Sequence, residues 1–250
     1  MKCLILAAGY GTRMQSVVGD IPKALIPLGG RTILDCLLAR LDELDVESVL
    51  VTNQKFHAAF LGWRDAAGRE IAILNDGTRH VDERLGAVGD IRFALSHLGV
   101  DDDLLVVAAD NLFDFSLQPL RAAFESERAV HLAVWHNPDL ADQRRRGVVE
   151  LGEHGWVTSF REKPEAPRSH LAAAPLYLLP GELLDEPDRY LAAGGNPDAP
   201  GYLMEYLAER HRVRAWRIPG ELLDVGNPQS YAVAVRRFGN GPDDPANGGR

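Results

Sequence analysis

Apolar residues in this chain collect in short runs at 3–6 (CLIL), 48–52 (SVLVT), 71–74 (IAIL), 104–107 (LLVV) and 130–134 (VHLAV). These runs are largely continuous rather than alternating, which is the pattern of strands covered on both faces. Between them the apolar positions recur with a helical period. Over 32–44, Ile33, Leu34, Leu37, Leu38, Leu41 and Leu44 form one stripe while Asp35, Arg40, Asp42 and Glu43 face away. Further helices are predicted over 56–63, 89–98 and 117–124. Strands alternating with helices imply right-handed β-α-β crossovers, and hence a doubly wound α/β fold with a mostly parallel sheet and helices on both faces.

Beyond about residue 140 the rhythm changes. The pieces GVVEL and WVTSF flank the turn GEHG, and HLAAAPLYLLP follows. A helix near 203–209, a strand over 213–218 and a closing helix near 230–237 complete the pattern. This predicts one domain over 1–238, with an N-terminal part to about 125 and a β-rich, substrate-facing part over 126–238 fused to the same sheet. The tail 239–250, GNGPDDPANGGR after the preceding Phe, has the composition of a disordered segment.

Composition narrows the chemistry. The 250 residues are 46% apolar, enough for a sizeable core. A net charge of −9 offers no basic stripe for nucleic acid or an anionic membrane. Any anionic ligand must therefore be held by a few placed cations. Cys3 and Cys36 have no CxxC or Cys/His spacing and read as reduced thiols, pointing to the cytoplasm. No 18-residue apolar stretch occurs, and the N-terminal run is too short for a secretion signal. The eight histidines show no metal-ligand spacing, and neither cysteine has a histidine partner nearby in sequence.

One stretch stands out: LILAAGYGTRM at 4–14, a buried strand that ends in a glycine-rich turn and an arginine. Small residues at the carboxyl end of a parallel strand let backbone N–H groups approach a phosphate chain. A tight strand-to-helix turn is the plain alternative, since the third glycine of a dinucleotide fingerprint is missing and no P-loop follows. Lys23, ten residues after Arg13 and fixed behind Pro22, shifts the balance. An arginine fork and a lysine point charge bracketing a bare loop suit a polyphosphate. Asp110 ends the buried strand LLVVAAD, and Asp224 ends a second apolar segment before Gly-Asn-Pro.

LAAGYGTRM followed by PKALIPLGGRTIL resembles the signature of the sugar-1-phosphate nucleotidylyltransferases. VVAADNLFD, RRGVVEL, SFREKPEAP and LLDVGNPQSY then follow in that family's order, so the resemblance runs to about residue 232. It implies a Rossmann-like fold and Mg²⁺-assisted, in-line attack of a sugar-1-phosphate on the α-phosphorus of a nucleoside triphosphate, expelling pyrophosphate. Carried over by position, Arg13, Lys23 and Asp110 are the catalytic residues, and Asp110 and Asp224 the metal ligands. Leu6, Ala7, Ala8, Gly9, Gly11 and Thr12 would hold the nucleotide, with Asn75 and Gly86 at its base. Gly147, Glu162, Lys163 and Tyr177 would hold the acceptor. The stretch ILNDGTRHVDERLGAVGDI departs from the family's base-reading pattern, and AAAPLY lacks its sugar-pocket asparagine. Base and acceptor therefore stay open. A cytidylyltransferase for a non-sugar phosphate or phosphonate is the alternative, and a non-catalytic nucleotide-sugar-binding subunit a remote one. The expected partners are a nucleoside triphosphate and a phosphorylated acceptor, with homo-oligomerisation undecided.

Overall fold

The computed structural model describes residues 1–99 and 102–239. Among them nine strands join in one sheet: β1 Lys2–Leu6, β2 Glu47–Thr52, β3 Ala72–Asn75, β4 Leu104–Ala108, β5 Val130–His136, β6 Gly147–Leu151, β7 Val157–Glu162, β8 Leu171–Leu179 and β9 Val213–Arg217. The first four lie parallel in the order β3-β2-β1-β4. The chain thus winds outward from β1 through β2 and β3, then returns to place β4 on β1's other edge. The C-terminal half adds the predicted β-rich portion to the same sheet. There β8 runs antiparallel to β4, β5 and β6, β7 pairs with β6, and β9 lies parallel to β5. Between Ala173 and Tyr177 the pairing of β8 with β5 shifts register, at Pro175, whose nitrogen has no hydrogen to donate.

Seven longer helices cover the sheet: α1 Ile33–Leu41, α2 His57–Ala67, α3 Gly86–Leu98, α4 Gln118–Ser126, α5 Glu186–Ala192, α6 Pro200–Arg210 and α7 Pro228–Phe238. Alternation along the strands assigns each side chain to one of two cores. Cys3, Ile5, Leu105 and Val107 pack with leucines of α1, Phe60 of α2 and Phe124 of α4. Leu4, Leu104 and Val106 pack on the other face with Val88 and Ile91 of α3 and Leu203 and Leu207 of α6. Both faces are covered, which is why these strands read as unbroken apolar runs. A smaller cluster of Met14, Ile26, Leu28, Ile33, Leu112, Val225 and Ala234 ties the first loop to the last helix.

Local signals set most boundaries. Thr32 caps α1 through a reciprocal box: its hydroxyl accepts from the Asp35 amide at 3.1 Å, and its own amide donates to Asp35 Oδ2 at 2.7 Å. The stripe predicted to 44 ends as α-helix at Leu41 and continues as a 3₁₀ turn to Leu44. Helix α3 begins three residues before the predicted position because of tertiary contact. Gly86 has φ of 77°, and a Cβ there would stand 2.3 Å from the Pro197 carbonyl oxygen. The amides of Ala87 and Val88 donate to the carbonyls of Asp198 and Pro197. The periodicity did not reveal α5. Beyond Gly239 the tail lies outside the described residues. Among the described residues no helix is long and apolar enough to cross a membrane, and Cys3 and Cys36 are free thiols.

Thr32→Ala should remove the hydroxyl half of the capping box, leave the half donated by the backbone amide, and lower unfolding stability by about 1 kcal/mol. Urea titration should show an earlier midpoint at unchanged slope.

Candidate active site

Strand β1 ends at Leu6, and the Ala7 amide makes the last rung to Val51. From there the loop's carbonyls are tied back to the end of β2: Thr52 Oγ1 donates to the Ala7 carbonyl and Asn53 Nδ2 to that of Ala8, the latter at 2.8 Å. Among the described residues, the amides of residues 8–13 donate to no acceptor. A row of unsatisfied N–H groups on small residues is a cradle for an anion. Leu6, Ala7, Ala8, Gly9, Gly11 and Thr12 all line one cleft of about 370 Å³, together with Arg13, Lys23 and residues 108–110 at the end of β4. The cleft lies where the winding direction reverses between β1 and β4.

The charges converge there for identifiable reasons. Pro22 precedes a 3₁₀ turn that presents Lys23, whose Nζ lies 3.0 Å from Asp110 Oδ2. A two-stranded ribbon, Asn111–Phe113 with Leu222–Asp224, sets Asn111 opposite Asp224, and the Val225 amide donates to the Asp110 carbonyl. That ribbon delivers a second carboxylate from the far end of the chain. Asp224 keeps solvent contact but sits in a packed crevice. Burial raises its pKa first and the charge of Asp110 second, against the pull of Lys23, Arg146 and Arg13. Arg13 is exposed and makes no ion pair among the described residues.

A second group borders the cleft. A Cβ at Gly147 would stand 3.0 Å from Glu162 Oε2, and one at Gly201 only 1.8 Å away. The Glu162 carboxyl is therefore laid between two glycine backbones. Burial pushes it up to about 7, with Lys163 opposing and Glu205 and Asp198 reinforcing. Lys163 itself takes a φ of 50°, a strained conformation for a side-chain-bearing residue. Its amide donates to the Arg146 carbonyl, and its Nζ lies 3.4 Å from Asp198, which lines the cleft.

Two expected residues are placed elsewhere. Tyr177 is 5% exposed inside the core beneath α3 and α6, because it pairs with Val106, two residues deeper along the sheet than the cleft-lining Ala108, while Pro175 lines the cleft. Asn75 donates to Gln54 and accepts from the Gly77 amide, and its neighbour Asp76 lines the cleft instead. Gly86 does line the cleft, but its need for glycine comes from the Pro197 backbone.

Asp76, Arg84, Asp90, Pro175 and Asp198 also line the cleft and are not among the residues the sequence singles out. Most lie in polar stretches with no periodicity. Asp90 left a detectable signal, a charged residue inside the apolar stripe of a predicted helix. It is 7% exposed on the buried face of α3. Burial, then the charge of Asp76 and a carboxyl–carboxyl hydrogen bond to it, push Asp90 up to about 8. Burial also raises Asp76.

The pH consequence has a definite sign. Folded, Asp90 keeps its proton to about pH 8, whereas unfolded it ionises near its ordinary 3.8. The unfolded state then binds fewer protons across that window, so stability falls as pH rises through it. Asp90→Asn removes the effect. Its melting temperature relative to wild type should climb between about pH 5 and pH 8 and level off above that, read by calorimetry.

A family model described as nucleotidyl transferase matches residues 2–240. The chain is 30% identical to the N-acetylmuramate alpha-1-phosphate uridylyltransferase of Caulobacter vibrioides, over 94% of this chain and 96% of that protein. It is also 30% identical to the glucose-1-phosphate adenylyltransferase of Thermomicrobium roseum, over 91% of this chain but only 57% of that longer protein. The fold matches a UDP-glucose pyrophosphorylase in complex with UDP-glucose, with a TM-score of 0.78 at 21% identity over 94% of this chain and 97% of that one. The doubly wound sheet, its bare loop and the matched family model agree, and the chain belongs to the nucleotidyl transferase family.

Proposed function

We propose that this protein transfers a nucleoside monophosphate from a nucleoside triphosphate to a sugar-1-phosphate, releasing pyrophosphate. The observation that carries this reading is the meeting, in one cleft, of the amides of residues 8–13, which find no acceptor among the described residues, with Arg13 and the Lys23–Asp110 pair, and with Asp224 brought beside Asp110. The relatives support it, since the adenylyltransferase and the uridylyltransferases differ in base and sugar but share this transfer to a sugar phosphate.

In this reading the backbone cradle and Arg13 hold the triphosphate, with the Arg13 fork on the phosphates that depart. An oxygen of the acceptor phosphate attacks the α-phosphorus in line, a new P–O bond forms, and the bond to the β-phosphate oxygen breaks. Both electrons of that bond leave with pyrophosphate. Lys23 neutralises charge on the α-phosphoryl group, and Lys163 holds the acceptor phosphate. The Glu162 carboxyl, fixed between Gly147 and Gly201, accepts from acceptor hydroxyls. Transfer is direct, so the protein supplies position and charge rather than a nucleophile.

A divalent cation fits the donor set. Asp110 and Asp224 are hard oxygen donors whose mutual repulsion a cation relieves. Among the described residues no cluster of three or more protein ligands forms a complete cage. Mg²⁺ suits such a site, because it takes one or two carboxylates and completes its shell with water and phosphate oxygens. When bound it would offset charge on the α-phosphate and the pyrophosphate.

Incubation with each common nucleoside triphosphate against a panel of sugar-1-phosphates should release pyrophosphate for at least one pairing. Absence of release in every pairing would overturn the reading, and turnover only with a non-sugar phosphate would replace the acceptor class. Lys23→Ala should lower kcat/KM by about 100-fold or more while the melting temperature moves little.

A further inference from the structure

Two charged regions, at and beside the cleft, do not share members. Arg13, Lys23, Asp110 and Arg146 are the groups that act on Asp224. Asp76 is the charged group that acts on Asp90, and none of the first set shifts either residue of this second pair. Placement of the triphosphate beside Arg13 and Lys23 leaves the Asp76–Asp90 region to the remainder of the nucleotide.

The chemistry of that region is specific. Tyr10, in the bare loop, donates from its hydroxyl to Thr78 Oγ1 at 2.9 Å. Thr78 in turn donates from both its hydroxyl and its amide to Asp76 Oδ1, at 2.8 and 2.7 Å. One oxygen of Asp76 is thereby satisfied, and its carboxylate faces Asp90. Asp90, 93% removed from solvent, leaves Oδ1 with no hydrogen-bond partner. Arg84, the cation lining this part of the cleft, is engaged by Asp198 at 3.0 Å. A buried acceptor without a partner is costly, and its cost is recovered when a ligand supplies the missing donor.

We propose that Asp90, set against Asp76, selects a nucleoside triphosphate whose base carries an exocyclic amino group, that is cytosine, adenine or guanine, over uracil or thymine. The inference rests on the cleft being a nucleotide site. An amino group donates to the orphan Asp90 oxygen. In cytosine and adenine the adjacent ring nitrogen accepts the proton that the two carboxyls share, while in guanine the adjacent ring N–H donates to an ionised carboxylate. Uracil and thymine present one N–H flanked by two carbonyl oxygens, and two carboxyls sharing a single proton cannot satisfy both.

The test is calorimetric binding of ATP, CTP, GTP, UTP and dTTP with Mg²⁺, to wild type, Asp90→Asn and Asp90→Ala, beside turnover with the same panel. Wild type should bind at least one amino-base triphosphate about tenfold or more tighter than UTP and dTTP. Asp90→Asn keeps the shape but can offer N–H donors, and should compress that ratio about tenfold or more while affinity for inorganic pyrophosphate is kept. Asp90→Ala should compress it as well. Tightest binding of UTP or dTTP by wild type would overturn the proposal, as would an unchanged ratio in variants that melt cooperatively. Base-selective binding without turnover would count against the transferase reading and leave this assignment standing, whereas turnover with no effect of Asp90 on base preference would do the reverse.

Discussion

Strand β1 lies between β2 and β4, with Leu6 level with Val51 on one side and Ala108 on the other. That pairing decides where the chain can bind anything. It brings the loop after β1 and the aspartate after β4 to the same sheet edge, at the point where successive crossovers part to opposite sides. The loop can be bare because its carbonyls are held by Thr52 and Asn53, leaving its amides outward and unpaired. In the proposed function a ligand is then gripped by backbone, and side chains are needed only for charge.

Charge is what the remaining elements supply, and each carrier is costly to fold. Asp110 and Asp224 repel, and Lys23 offsets part of that at 3.0 Å. Glu162 is squeezed between two glycines, Lys163 is strained, and Asp90 is buried with an unpartnered oxygen. None of these arrangements favours the folded state on its own. They persist because two apolar cores, one on each face of the sheet, over-determine the positions of the strands and helices that carry them. Strain and repulsion concentrate where a ligand with complementary charge would relieve them.

The parallel half of the fold was legible in the chain because burial on both faces leaves an unmistakable record in composition. Helix α1 was legible through its one-sided apolar stripe, Ile33 to Leu44, whereas its Thr32–Asp35 box came from the structure. The glycine loop, Arg13 and Lys23 could be singled out because proximity in sequence already implied proximity in space. Residues 111–113 pairing with 222–224 could not be read this way. Two three-residue strands carry too little periodicity, and what joins them is contact between segments remote in sequence.

The sequence by itself thus determined the alternation of buried strands and amphipathic helices, the small-residue loop and the identity of the cations beside it. These are local properties, written in hydrophobic period and residue size. Tertiary structure alone decided that Asp224 stands by Asp110, that Tyr177 belongs to the core and Pro175 to the cleft, and that Asp76 rather than Asn75 faces the ligand space. It also set Asp90 against Asp76. The reason is physical: how deep a residue lies along its strand, and which distant segment packs against it, depend on contacts between remote parts of the chain that leave no mark on the local pattern.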